Sequence, residues 1–211
     1  MADLFDDLPP GFVHRPLWSA EEQRAALGAV REVVAAAPFY TPAMPRTGKP
    51  FTVRMTNCGP LGWVSDRDGG YRYQPTHPGT GAPWPPIPTM LLAVWRAVSG
   101  YHHPPEACLV NYYAPDARLG LHQDADEAAT DAPVVSLSLG DDCRFRLGGM
   151  ARGGPTRSLR LASGDLVVLG GASRMAFHGV DRIHPGTSAL LRDWFPAGGR
   201  INLTLRRVTK P

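Results

Sequence analysis

The chain has 211 residues, of which 22 are Lys or Arg and 19 are Asp or Glu, with a hydrophobic fraction of 43%. That length carries one good core with at most a small appended lobe. No run of about 18 apolar residues occurs, so no membrane-spanning helix is expected. The net charge of +3 permits a polyanionic partner without demanding one.

Met1–Asp7 is acidic and lacks the basic and apolar regions of a signal peptide, so a cytoplasmic location is expected. Cys58, Cys108 and Cys143 are far apart and odd in number, which suits three reduced thiols better than a disulfide framework or a cysteine metal site. Only Lys49 and Lys210 are lysines; the other basic residues are arginine. Compositional bias explains most of them, with Arg152, Arg200 and Arg206 as exceptions taken up below.

Ser19-Ala20-Glu21-Glu22 reads as a capping box, and the Ala- and Val-rich stretch to Ala37 predicts a helix that stops before Pro38. Phe51 to Asn57 alternates and predicts a strand. Gly59 to Pro88 is dense in Gly, Pro, Trp and Tyr. Its aromatics argue against a disordered linker and for an ordered binding lid. Pro88 to Ser99 predicts a second helix closed by Gly100. From Ala107 onward the chain turns to short strands: Ala107–Tyr113, Leu119–His122, Pro133–Leu139, Cys143–Leu147, Ser158–Leu161, Asp165–Leu169, Met175–Ile183 (broken near His178) and Arg200–Val208. Strands at this spacing predict a sandwich, jelly roll or barrel. The N-terminal helices would cover one sheet, and the aromatic stretch would lie over the mouth.

His122-Gln123-Asp124 is the candidate metal motif. In an extended strand, side chains two apart share a face, so an imidazole and a carboxylate can meet one ion. The pair with a distant histidine makes the two-histidine, one-carboxylate set of non-haem Fe(II) oxygenases. Of the seven histidines, His178 stands out, in a strand beside Gly179, which permits close backbone approach. The residues alone leave it balanced between third ligand and ordinary strand histidine. In Arg200-Ile201-Asn202-Leu203-Thr204-Leu205-Arg206, alternate positions give one face of Arg200, Asn202, Thr204 and Arg206 and an apolar opposite face. Two buried arginines need anions. By itself this strand also fits a solvent-exposed edge; beside a metal triad, the dicarboxylate 2-oxoglutarate explains it better, one arginine clamping each carboxylate. Asn111 and Tyr113 repeat the spacing and offer donors to a keto-acid. Tyr112 points the other way, its ring into the core, with only its backbone bordering the site.

These motifs resemble the AlkB family of Fe(II)/2-oxoglutarate-dependent nucleic-acid dealkylases, in particular its bacterial DNA-repair members. The resemblance runs in order through Met55-Thr56-Asn57-Cys58-Gly59-Pro60-Leu61-Gly62-Trp63, Asn111-Tyr112-Tyr113-Ala114-Pro115, His122-Gln123-Asp124, Val135–Gly140, His178-Gly179 and Arg200–Arg206, from about residue 50 to the end. It implies a mainly β (α+β) fold: a double-stranded β-helix, or jelly roll, over 107–211, with helices and a nucleotide-recognition lid in 1–106, the two forming one compact unit. It implies iron on His122, Asp124 and His178; 2-oxoglutarate on Asn111, Tyr112, Tyr113, Arg200, Asn202, Thr204 and Arg206; and a damaged nucleotide held by Met55, Trp63, Tyr71, Arg72, Tyr73, Asp126 and Arg152. Trp63 would stack on a flipped base, with His178 on the other side, and Asp126 would favour a cationic lesion. Ala125 departs from the family, where a relative carries Lys. The loop around Asp68-Gly69-Gly70 is one residue longer, which shifts the alignment of Tyr71 and Tyr73.

The implied reaction is oxidative demethylation of bases such as N1-methyladenine and N3-methylcytosine, using Fe(II), 2-oxoglutarate and O2 and releasing formaldehyde, succinate and CO2. The partner would be alkylated single- or double-stranded DNA, or RNA, met by a monomer with no membrane involved. Rival readings are an oxygenase of protein or small molecules, a metal-binding module without turnover, and a zinc hydrolase. The last leaves Arg200 and Arg206 unexplained.

Overall fold

The computed structural model describes residues 8–211. Helix α1 (Ala20–Ala36) begins where the sequence places it. The Ser19 hydroxyl accepts from the Glu22 amide, and the Glu22 carboxylate accepts from the Ser19 amide at 2.8 Å, satisfying two of the donors that a helix start leaves free. Ala26, Leu27, Val30 and Val33 form its buried stripe. Helix α2 (Thr89–Val98) buries Leu91 and Trp95. Both stripes pack on one face of a six-stranded antiparallel sheet.

That sheet contains β1 (Phe12–Pro16), β2 (Val53–Cys58), β5 (Ala107–Tyr113), β7 (Val134–Gly140), β10 (Asp165–Leu169) and β12 (Arg200–Arg206), in the order β1-β10-β7-β12-β5-β2. Opposite it lies a four-stranded sheet of β6 (Leu119–His122), β8 (Asp142–Gly148), β9 (Thr156–Leu161) and β11 (His178–His184), ordered β6-β11-β8-β9. The architecture is the expected jelly roll. The remaining pair, β3 (Gly62–Asp66) and β4 (Gly70–Gln74), forms a hairpin. β1 and β2 sit in the same sheet as four strands of the C-terminal half, so residues 8–106 contribute edge strands to the jelly roll as well as its cover.

Alternation along the central strands divides the molecule into two cores. Ile201, Leu203 and Leu205 of β12, with Cys108, Val110 and Tyr112 of β5, face the helices. The other parity faces the second sheet, where Leu109 and Tyr113 meet Phe145 and Val180. Register sets polar residues side by side on that inner face: Arg200 pairs with Tyr113, and Asn202 with both Asn111 and Ser138.

Several elements differ from the sequence expectation. β1 was not expected, because His14, Arg15 and Pro16 dilute any alternation; it is an edge strand, where Pro is tolerated. The aromatic stretch contains the β3–β4 hairpin, its turn tied by the Asp66 carboxylate, which accepts from the amides of Asp68 and Gly69. The strand expected from Met175 begins at His178, after a 3-10 turn at Gly171–Ser173. β6 ends at His122, so Asp124 and Asp126 lie in a turn beyond the strand; strand alternation does not relate them to His122.

Candidate active site

The two sheets enclose a cavity of about 520 Å³. On its wall His122, at the end of β6, pairs directly with His178, the first residue of β11. The approach requires Gly179: a Cβ there would lie 2.6 Å from the Leu119 carbonyl oxygen. Asp124 reaches in from the turn after β6. Its two oxygens each lie 3.7 Å from a histidine Nε2, Oδ1 from His122 and Oδ2 from His178. All three ligand atoms fall within 4.8 Å of one another. Both imidazoles are oriented by the chain itself. His122 Nδ1 donates to the Gly120 carbonyl at 2.9 Å and His178 Nδ1 to the Ala176 carbonyl at 3.0 Å. A protonated Nδ1 leaves the Nε2 lone pair free for a metal.

Electrostatics prepare the same state. Burial pushes the His178 imidazole down to about 4, against the pull of Asp124, so the ring is neutral at pH 7. Burial also works against charge on Asp124, but Arg206, His178 and His122 outweigh it and hold the carboxyl well below the usual carboxylate range. Asp124 Oδ2 is buried without a hydrogen-bond partner, a costly state that a cation between the three side chains removes. The donor set, two imidazoles and one carboxylate, is the one that suits Fe(II) with open positions.

Beside the triad, β12 lines the cavity with Arg200, Asn202, Thr204 and Arg206. Arg200 donates to Ser138 Oγ at 2.5 Å, and Asn202 to Ser136 Oγ at 2.6 Å. Arg200 Nε and Nη1, Arg206 Nε and Asn111 Oδ1 are buried and unpartnered. Three orphan guanidinium nitrogens in one cavity fit a dicarboxylate.

The mouth is aromatic. Trp63 is clamped by its backbone: its carbonyl accepts from Asn57 Nδ2 at 3.0 Å and from the Tyr40 hydroxyl at 2.9 Å, and its amide donates to Asn57 Oδ1. Its indole N–H donates to Asp126 Oδ2 at 2.7 Å. Tyr71 stacks on it with ring centroids 5.6 Å apart and an interplanar angle of 22°. Arg152 stands 5.0 Å over the Phe177 ring on the opposite lip.

The description "2OG-Fe(II) oxygenase superfamily" matches the chain over residues 11–206. An alpha-ketoglutarate-dependent dioxygenase AlkB homolog of Caulobacter vibrioides is 54% identical over 202 residues, covering 94% of this chain and 88% of the relative. The chain belongs to the AlkB family. The Escherichia coli alpha-ketoglutarate-dependent dioxygenase AlkB is 39% identical, across 100% of this chain and 99% of that one. The solved structure of OsALKBH1 superposes with a TM-score of 0.78 at 31% identity, covering 95% of this chain and 99% of that one. As an AlkB-family member the chain is a dioxygenase that uses Fe(II), 2-oxoglutarate and O2.

Most of the residues named from sequence line this AlkB cavity: Asn111, Tyr113, the triad, the four polar residues of β12, and Met55, Trp63, Tyr71, Asp126 and Arg152. Three do not: Arg72 and Tyr73 are corrections, while the Tyr112 ring lies in the core as its parity predicts and only its expected backbone border with the site is missing. The Tyr112 ring lies on the helix side of β5, stacked on Phe195 at 3.8 Å, with its hydroxyl donating to Gly198 O. Arg72 turns back on its own hairpin, paired with Asp66 at 2.8 Å and Gln74 at 3.1 Å. Tyr73, opposite Trp63 in the hairpin and on the same face, inserts its hydroxyl between Glu127 and Arg206. Alternation explains Arg72, which lies on the other face of the hairpin, but not Tyr73, which shares a face with Trp63 and Tyr71 and differs in the partners its hydroxyl reaches.

Two residues of the site were missed. The Glu127 side chain is fully buried and accepts from Tyr73, from Arg206 Nη1 at 3.1 Å and from Arg174 Nη2 at 3.0 Å. Arg174 also donates to the backbone oxygens of Asp124 at 2.7 Å and Ala132 at 2.8 Å. Arg206 completes the chain by donating to Asp124 Oδ1 at 2.7 Å. The β3–β4 hairpin, Arg206 and the triad carboxylate Asp124 thus share one buried network. Burial opposes the charge on Arg206, but Asp124, Tyr73 and Glu127 hold its proton more tightly than an ordinary guanidinium does. The available signal for Glu127 was an acid following Asp124 and Asp126 in one turn; nothing in sequence marks Arg174.

Proposed function

We propose that the chain is a nucleic-acid dealkylase, demethylating bases such as N1-methyladenine and N3-methylcytosine in alkylated DNA or RNA as a cytoplasmic monomer. The observation that carries the nucleobase is Trp63. A flat indole is immobilised at the cavity mouth by its own backbone clamp, and the Asp126 carboxylate is fixed at its edge at 2.7 Å. Base-on-aromatic stacking contributes ~1–3 kcal/mol per base. A fixed carboxylate beside that platform favours a methylated, cationic base over its neutral parent. Such lesions pair poorly, so extruding them costs less than extruding an intact base.

In this reading His122, Asp124 and His178 hold the iron through Nε2 and carboxylate oxygens. Arg200, through its unpartnered Nε and Nη1, would take one carboxylate of 2-oxoglutarate. Arg206 Nε would take the other, and Asn111 and Tyr113 would bond the keto-acid. Bound there, Fe(II) with 2-oxoglutarate and O2 supplies the oxidising power that hydroxylates the methyl carbon. The chain's own task is placement: Trp63 and Tyr71 wall the base from water, Arg152 grips it from the other lip, and no side chain moves a proton. The N-hydroxymethyl product collapses to formaldehyde and the N–H base, and 2-oxoglutarate leaves as succinate and CO2. Formaldehyde release from a panel of methylated single-stranded DNA, duplex DNA, RNA and nucleosides tests the proposal. Release from methylated strands is expected; turnover confined to proteins or small molecules would replace it with another substrate class.

A further inference from the structure

The active site leaves one strongly charged surface unused. On β8 the residues facing the cavity side are Cys143, Phe145 and Leu147, all buried. The alternate residues Arg144 and Arg146 face outward. Arg160 of β9 and Arg182 of β11 are both directly opposite Arg144 in the strand register. Residues so paired share a face with Cβ atoms ~4.5–5.5 Å apart, and like charges there destabilise the sheet. A row of three arginines across three adjacent strands is therefore a cost that folding alone does not explain.

The row is only partly neutralised. Asp142 pairs with Arg160 at 2.6 Å, and Asp181 lies 3.6 Å from Arg144 and 3.4 Å from Arg146. Among the described residues, four guanidiniums thus meet two carboxylates. The side chains of Arg144 and Arg160 are 51% and 68% exposed. Both helices lie on the far side of the other sheet, so they do not cover this face. The row also has a direction. From Arg144, Arg146 is one step of ~7 Å nearer the β8–β9 turn, and that turn carries Arg152 on the cavity lip. Arginines continue from the mouth onto the outer sheet.

We propose that this face is a track for the sugar-phosphate backbone of one nucleic-acid strand, flanking the nucleotide held in the cavity. Arg suits this because its planar fork meets phosphate in bidentate fashion. Contacts of this kind fix register and add affinity without reading sequence. The proposal rests on the nucleic-acid reading of the cavity and extends it from one nucleotide to a strand.

The test compares wild type with R144Q/R160Q/R182Q, and with R182E alone as a second variant. Binding of an unmethylated, fluorescein-labelled single strand of ~20 nucleotides is followed by anisotropy over a salt series. Losing three phosphate contacts lowers the slope of log K against log salt by about 2 and weakens binding roughly tenfold to a hundredfold at ~0.1 M salt. R182E, which breaks no ion pair found among the described residues, keeps thermal stability at or above wild type, the triple variant loses some stability because Asp142 loses Arg160, and turnover of a methylated trinucleotide stays unchanged in both. An unchanged slope in the triple variant, with a wild type that binds and demethylates, would overturn this proposal alone. So would equal losses on the long strand and the trinucleotide. A wild type that neither binds strands nor releases formaldehyde would remove the nucleic-acid reading, and this one with it.

Discussion

Substituting Glu127 by Gln tests the buried network most sharply. The change keeps the shape of the side chain and removes one negative charge at a position with no solvent exposure. In the native chain that carboxylate accepts from Arg174, Arg206 and Tyr73. After substitution, two guanidiniums remain with Asp124 as the only carboxylate in the network. The new amide NH2 must also face at least one donor, Arg174 Nη2 or Arg206 Nη1. Breaking a buried ion pair from one side costs ~3–5 kcal/mol. Part of this is regained because Gln keeps one acceptor oxygen, which gives an expectation of about 3 kcal/mol. At ~2–4 °C per kcal/mol for a chain of this size, the midpoint should fall by roughly 6–12 °C. Circular dichroism melts of metal-free protein read this directly. Tyr73→Phe, which loses one hydrogen bond, should cost only about 1 kcal/mol, and the double variant should fall short of the sum because the two share a partner. A midpoint for E127Q within ~2 °C of wild type would refute the argument that this network braces Arg206 and Asp124.

Four further outcomes follow from the same geometry. In metal-free protein the folded His178 sits near 4 while the unfolded ring titrates near ~6.5; the unfolded state therefore binds the extra proton between those values, so stability is intact above 6.5 and falls by up to about 3 kcal/mol as pH drops to 4. H178Q should abolish that window in denaturant titrations across pH. Arg200→Lys loses the planar fork and should weaken 2-oxoglutarate binding to Mn(II)-loaded protein by ~10–100-fold, read by calorimetry, with Mn(II) affinity unchanged. Gly179→Ala places a Cβ 2.6 Å from Leu119 O, separates β11 from β6 and should reduce Mn(II) affinity by at least ~10-fold. Asp126→Ala frees the Trp63 indole and removes the fixed charge, so kcat/KM on a cationic methylated base should fall ~10–100-fold while 2-oxoglutarate binding stays the same.

What sequence made legible was the part governed by alternation. Arg200, Asn202, Thr204 and Arg206 face the cavity because β12 is a regular central strand whose other parity, Ile201, Leu203 and Leu205, packs under the helices. The same rule places the Tyr112 ring away from the site. Where the backbone leaves the strand, the rule stops. Asp124 and Glu127 are brought in by the turn after β6, and their partners Arg174, Arg206 and Tyr73 come from distant segments. Parity had no purchase there, so Glu127 went unassigned, and the coupling of Tyr73 to Arg206 emerged only in three dimensions. β1 was hidden for a different reason: an edge strand with one paired side needs little hydrophobic pattern of its own.

The central claim is that one cavity brings the iron and cosubstrate site together with a methylated base held against Trp63. It is tested most directly by measuring succinate and formaldehyde in the same reaction, with Fe(II), 2-oxoglutarate and a single strand carrying N1-methyladenine. Equal amounts of both products, with formaldehyde lost on Trp63→Ala while 2-oxoglutarate binding persists, are the predicted result. Succinate formed without formaldehyde on every methylated strand would contradict it.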